Sequence, residues 1–275
     1  MTTARRRIKR EDGNTQEAFT LVELLVVLVV LALWTMLLLP ALARTQPDSR
    51  AAQCLNNHAQ LCRAWLMYAH DNNDKLAPNI QGIGGQSYPA WALGWLDWSA
   101  SPDNTNTVYL ADPRYSALAP YCGKDARLFK CPTDQYISTV QRARGWKERA
   151  RSVSQDTYAS SGNPSVGPSD PSYLQVTKLS ALLNPKPAET WVTLDEYPDS
   201  INDGALYPPS ANQWVDLPAN YHDGGAGVAY ADGRSEIRRW QASLLNIPIR
   251  YAFSAPIVAP NDADLLWLRF HTPRN

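Results

Sequence analysis

The sequence predicts an α+β protein: a long N-terminal helix, half apolar and half amphipathic, packed on a small antiparallel β-sheet head with long loops. Three observations predict it. No side chain between Leu24 and Ala43 is charged. Apolar residues then recur at three- to four-residue steps as far as Ala69, the helical period. Strand signals are concentrated after Thr190, around an Asp232-Gly233 pair.

Residues 1–18 begin the chain with a basic run, Arg5-Arg6-Arg7-Ile8-Lys9-Arg10. Residues 19–43 follow as an apolar segment. The uncharged stretch from Leu24 to Ala43, at helical rise, spans about 30 Å, the thickness of a bilayer's hydrocarbon core. Glu23 sits just inside its edge, where an acid is costly in lipid and usually functional. One ordinary reading is a signal anchor with its basic flank kept in the cytoplasm. Another is a cleaved secretory signal peptide, with Ala41-Leu42-Ala43 imitating the cleavage site. The run exceeds that peptide's usual apolar length of about 7–15 residues.

Residues 44–70 read as the amphipathic half of the helix. A polar patch runs from Arg44 to Arg50, where Pro47 is placed to kink it. Beyond the patch, Leu55, Ala59, Cys62, Leu66 and Ala69 form a stripe that Leu61, Trp65 and Tyr68 widen. Gln53, Asn56, Asn57 and Arg63 fall mainly elsewhere, and Asp71-Asn72-Asn73-Asp74 ends the helix. Residues 71–275 are then a single head. Its middle, 77–188, is irregular, and its basic stretch at 141–151 reads as a solvated helix or loop. Thr190–Leu194 is a short β-rich run. Gly227–Tyr230 and Ser235–Trp240 flank Asp232-Gly233, a hairpin signal because both turn positions tolerate positive φ. The tail after Pro248 reads as an extension wrapping the head.

The formal net charge is zero, so a nucleic-acid partner is not suggested. The residues after Ala43 are enough for one domain with a real core. Four cysteines in an extracytoplasmic chain permit disulfides. Cys54 and Cys62 lie about 12 Å apart by helical rise, too far for a mutual bridge. They read as packing residues, with Cys62 facing the head. Cys122 and Cys131 enclose a loop flanked by Pro120 and Pro132 and are the expected disulfide, although a helix-to-head bridge remains open.

Phe19-Thr20-Leu21-Val22-Glu23, with the apolar run behind it and Pro40 within it, resembles the N-terminus of a type IV pilin or type II secretion pseudopilin. In that family a prepilin peptidase cuts before a Phe, whose new amine is methylated. Glu is the fifth residue after the cut, and Pro is common near the twenty-second. The resemblance places the cut between Ala18 and Phe19, Glu23 at the fifth position and Pro40, as a helix kink, at the twenty-second. The family usually carries Gly where Ala18 stands. Residues 53–74 and 220–240, with His222, Gly224-Gly225 and Asp232-Gly233, resemble large pseudopilin-like proteins of unassigned function. The resemblance implies a structural subunit, not an enzyme. Such a subunit crosses the inner membrane once, with its N-terminus cytoplasmic before processing and its head in the periplasm or at the cell surface. Its partners would be prepilin peptidase/methylase and other pilin-like subunits, in a homo- or hetero-polymer. Glu23 would pair with the Phe19 amine of a neighbour, because an isolated charge in lipid is expensive.

Catalytic motifs are scarce, and no cofactor is expected. No GxSxG, HExxH, Walker loop or dinucleotide fingerprint occurs. His222 with Asp223 suggests a metal or base, against a hydrogen-bonding role in a Gly-rich loop. Asp195-Glu196 suggests paired acids, but neighbours on an extended chain point apart. Asp71–Asp74 and Asp199–Asp203 offer oxygen ligands for calcium without EF-hand spacing. Trp91, Trp95 and Trp98 could share a helical face as a stacking platform, which defines an alternative: a membrane-anchored glycan-binding module with no assembly role.

Overall fold

The computed structural model describes residues 20–45, 49–79, 89–161, 170–241, 247–253 and 256–275. The chain forms two compact units, Met1–Pro47 and Asp48–Asn275. In the first unit, helix α1 (Leu21–Thr45) carries the apolar run and continues through Pro40. Its side chains are described as far as Trp34 and at Met36, and every one of those is exposed. Among the described residues no helix is long and apolar enough to cross a membrane.

The second unit is α+β. Its helix α2 (Ser49–Asp71) ends in the expected turn, where Asn73 and Asp74 take positive φ. The junction at Pro47, where one continuous helix was expected, lies outside the described residues. The buried stripe of α2 is Cys54, His58, Leu61, Cys62, Trp65 and Ala69, one step round from the expected face. Asn57 is buried too, because its amide donates to the carbonyls of Lys130 (2.9 Å) and Arg127 (3.3 Å).

A five-stranded sheet is the centre of this unit. Its strands are β1 (Val153–Asp156), β2 (Trp191–Asp195), β3 (Ala205–Leu206), β5 (Gly225–Tyr230) and β6 (Ser235–Arg239), in the order β3-β1-β2-β5-β6. A separate ribbon pairs β4 (Gln213–Trp214) with β7 (Ile257–Val258). The hairpin at Asp232-Gly233 forms as the sequence predicts: Ala229 pairs with Ser235, and Gly233 takes φ 92°. The sheet is mixed rather than antiparallel, since β3 lies parallel to β1.

The three central strands, β1, β2 and β5, are buried along their whole length, with packing on both faces. On one face α2 and the irregular region from Leu76 to Val153 form an apolar cluster around Trp65, Trp91 and Phe129. On the other, Trp191, Leu194, Trp214 and Val228 pack with Leu265 and Leu268 of α5 (Ala263–Phe270). This is the wrapping tail, tied down where Trp191 Nε1 donates to Thr272 Oγ1 (2.9 Å).

The stretch 141–151 is solvated over most of 142–148, as expected, but its end is not. It starts with a short helix, α4 (Thr139–Ala143), the next after α3 (Val108–Ala111), closed by a Ser138–Gln141 capping box. It then buries Arg149 and Arg151. Arg151 donates to the carbonyl of Val153 (2.9 Å), Ser154 Oγ (3.1 Å) and the carbonyl of Asp203. Arg149 lies over the Trp98 ring, 4.0 Å from its centroid, and donates to the Pro198 carbonyl. Both guanidiniums act as internal backbone clamps.

Beside Arg151 lie buried Glu196 and half-buried Asp203, and buried Asp216 neighbours both acids. Burial, with Asp203 close by, pushes the Asp216 carboxyl up to about 8, although the Tyr207 N–H donates to it. The folded chain therefore keeps a proton that the unfolded chain, with a carboxyl near about 3.9, has lost. The stability this proton supports is greatest at low pH, falls as pH rises through about 8, and is flat beyond. Urea unfolding of the detergent-solubilised chain, followed by Trp fluorescence, is expected to show a loss on the order of a few kcal/mol between mildly acidic and mildly alkaline buffer. Asp216→Asn should flatten that slope; an unchanged slope would place the proton elsewhere.

Candidate functional site

The first turn of α1 is closed by its own side chains. Thr20 N and Thr20 Oγ1 both donate to Glu23 Oε2, at 2.9 and 2.7 Å, and Glu23 N donates back to Thr20 Oγ1 at 3.3 Å. This is a capping box, which satisfies donors that a helix N-terminus leaves open. Behind it, every described apolar side chain from Leu21 to Leu33 is exposed. A helix that is apolar all round is one that other apolar groups must surround. Ala18 and Phe19, the expected cleavage pair, lie outside the described residues.

In the second unit, polar chemistry converges where α2 meets the sheet. The alternation of β5 explains how. Ala226, Val228 and Tyr230 point into the α5-side core, whereas Gly225, Gly227 and Ala229 present the opposite, small face. A Cβ at Gly227 would stand 2.5 Å from His58 Cδ2 and 2.7 Å from Cys54 Sγ. Glycine therefore sets how close α2 can lie.

In this seam Cys54 Sγ donates to Asp195 Oδ2 (3.0 Å), which also accepts from Gly227 N (2.9 Å). Asp195 Oδ1 faces His58 Nε2 at 3.3 Å, and His58 Nδ1 meets Thr193 Oγ1 at 2.9 Å. Cys131 Sγ lies 3.2 Å from His222 Nε2. Its backbone N–H is fixed by Ser152 Oγ at 2.7 Å. His222 is delivered by a tight turn. Its N–H and carbonyl pair with those of Gly225, both at 3.1 Å, and Asp223 and Gly224 take φ 51° and 79°.

The ligand atoms of Cys54, Cys131, Asp195 and His222 all lie within 4.8 Å of one another, and all four residues are buried. Among the described residues this is the group placed to hold a metal ion. Its electrostatics are those of a shared-proton pair. The nearby Cys131 sulfur pushes the Cys54 thiol well above the usual range, and burial and Asp195 add to this. Burial raises Cys131 as well, but the contacts from Cys54 and His222 outweigh it and hold Cys131 low. Burial likewise raises Asp195, yet His58, Cys54 and Gly227 N–H keep it below the usual carboxylate range.

Several sequence expectations change. Cys122 and Cys131 are free thiols rather than a disulfide. Cys122 packs in the apolar cluster with Leu118 and Leu128, its thiol pushed up to about 12 by burial, while Cys131 turns to His222 and Cys54. Cys54 belongs to the polar seam, whereas Cys62 packs toward the head and donates to the Tyr230 carbonyl (2.9 Å). Asp74, Asp199 and Asp203 accept backbone N–H groups, the first two across the fold and the third within a turn. Asp74 takes Ser180 N at 3.2 Å, Asp199 takes Arg250 N at 2.6 Å and Asp203 takes Ala205 N at 2.8 Å. Trp91, Trp95 and Trp98 share no helical face. Trp91 is fully buried, donating to the Gly204 carbonyl, and Trp98 packs on Tyr251 and Arg149.

A family model described as the prokaryotic N-terminal methylation motif matches residues 13–39. The match marks a type IV pilin-like prepilin signal, the kind of segment on which prepilin peptidase acts. No curated protein and no solved structure matches the chain.

The seam makes Gly227→Ala a sensitive substitution. Overpacking against His58 and Cys54 is expected to cost about 1–3 kcal/mol or more. Urea unfolding of the full chain measures it. An unshifted midpoint would show that α2 moves aside freely.

Proposed function

We propose that this chain is a structural pilin-like subunit, cut by prepilin peptidase between Ala18 and Phe19. It then assembles through its N-terminal helix into a type II secretion pseudopilus or a related type IV filament. The observation that carries the reading is the coincidence of the methylation motif over 13–39 with an apolar helix whose described side chains are all exposed. The uncharged sequence from Leu24 to Ala43 is long enough for a bilayer before assembly, and the same surface suits packing on like helices afterwards. In this reading the subunit is anchored in the inner membrane with its head outside the cytoplasm. It is not an enzyme.

The Thr20–Glu23 capping box refines what the acid does. It orders the first turn and points one carboxylate oxygen at the Thr20 backbone N–H. In the assembled state the same carboxylate pairs with the amine of a neighbouring subunit, which removes two lone charges from an apolar surrounding.

N-terminal peptide analysis of the protein from its native host is expected to find a methylated Phe19. A chain beginning after Ala43 would instead identify a secretory signal peptide, and an intact Met1 form a plain anchor.

Glu23 separates capping from charge pairing. Glu23→Gln can keep the box but loses the charge. Both Glu23→Gln and Glu23→Ala are expected to insert in the membrane and to lose crosslinked oligomers. If Glu23→Gln gave undiminished ladders, the carboxylate's role would be the cap alone, worth roughly 1 kcal/mol.

A further inference from the structure

We propose that Cys54, Cys131, Asp195 and His222 form a four-coordinate zinc site that fastens helix α2 to the sheet and its loops. This is independent of filament assembly. The four ligands come from four separate places: α2, the loop after the Ala126–Phe129 turn, the end of β2, and the tight turn before β5. Their ligand atoms fall within 4.8 Å of one another, with Cys54 Sγ 3.0 Å from Asp195 Oδ2 and Cys131 Sγ 3.2 Å from His222 Nε2. A tetrahedral zinc with Zn–S bonds of about 2.3 Å and Zn–N bonds of about 2.0–2.1 Å sets its ligands roughly 3.3–3.8 Å apart.

The donor set selects the metal. Two sulfurs and an imidazole are too soft for calcium or magnesium, which take oxygen ligands. One carboxylate oxygen completes the four donors of a closed structural zinc site.

The surroundings are those of an oriented ligand shell. Asp195 is held by Gly227 N–H on one oxygen and faced by His58 on the other, and His58 is itself held by Thr193. Such outer contacts fix ligand orientation in metal sites. The competing use of the same sulfurs is a Cys54–Cys131 disulfide. That bond would engage only two of the four converging groups and give Asp195 and His222 no part. On binding, each thiol releases its proton to solvent as its sulfur takes the metal. The ion keeps its charge state, so neither oxidant nor reductant takes part.

The test uses the full-length chain in detergent, purified without chelator. Elemental analysis is expected to give about one zinc per chain. Exchange into cobalt should give the visible bands of a tetrahedral ion together with thiolate-to-metal charge transfer. Cys131→Ser and His222→Ala should each lower zinc affinity by at least about 100-fold. Cys122→Ser, which alters a thiol outside the group, should leave zinc content unchanged. The unmodified chain decides the matter even if a variant fails to fold. If it is isolated with a Cys54–Cys131 disulfide and no metal, or if after reduction it takes neither zinc nor cobalt stoichiometrically, the proposal is overturned.

Discussion

The close approach of α2 to β5 is the constraint on which the head depends. Gly227 has no side chain because His58 and Cys54 already occupy the place where its Cβ would be. That contact brings three polar groups of one helix face, Cys54, His58 and Cys62, onto two adjacent strands. Each then meets a specific partner: Asp195, Thr193 and the Tyr230 carbonyl. A helix laid on a sheet by apolar contacts alone can slide or rotate. One keyed by buried hydrogen bonds has a single register, because each alternative strands a desolvated polar group. Trp65 and Leu61 supply the burial on the same helix, so driving force and specificity occupy neighbouring turns.

The same logic governs the irregular half of the head. Among the described residues between Leu76 and Val153 regular elements are few, yet many of these residues are buried, and backbone without a ladder needs other partners. Side chains provide them. Arg149 and Arg151 donate to the carbonyls of Pro198, Val153 and Asp203. Asn57 and Gln141 serve the carbonyls of Lys130 and Asp97. Here polar side chains replace the hydrogen bonds that strands would have made.

That substitution also decides how much was legible in the sequence. The β5–β6 hairpin was readable because Asp232-Gly233 sits between β-rich runs. Helix α2 was readable because most of its stripe is apolar, and its true face was missed by one step because His58 and Asn57 are polar yet buried. Strand β1, Val-Ser-Gln-Asp, was missed because a strand covered on both faces shows no alternation, and its polar residues are matched by tertiary partners. Arg149 and Arg151 were misread because charge predicts exposure unless a partner is known, and their partners are backbone carbonyls up to about fifty residues away in sequence. Of the seam, His222 was legible as a Gly-rich-loop hydrogen-bonding residue. Cys131 was not placed with it, since the pairing spans 91 positions and leaves no local pattern.

Asp195 and Glu196 show how one backbone rule separates two environments. As neighbours at the end of an extended strand they point to opposite sides. Asp195 enters the α2 seam, where His58, Cys54 and Gly227 N–H hold it ionised against the pull of burial. Glu196 enters the other side, where Ser154 and Ser200 donate to it. There burial and the nearby Asp216 drive its carboxyl well above the usual range, more than the serines and Arg151 lower it. The two adjacent carboxyls are therefore driven in opposite directions. Since β2 is the middle strand of the sheet, this division extends through the head: an anionic, sulfur-rich seam beneath α2, and a proton-retaining pocket around Arg151 on the far side. Only the first has the charge and the soft donors to attract a cation, which is why the chemistry of this head collects beneath its helix.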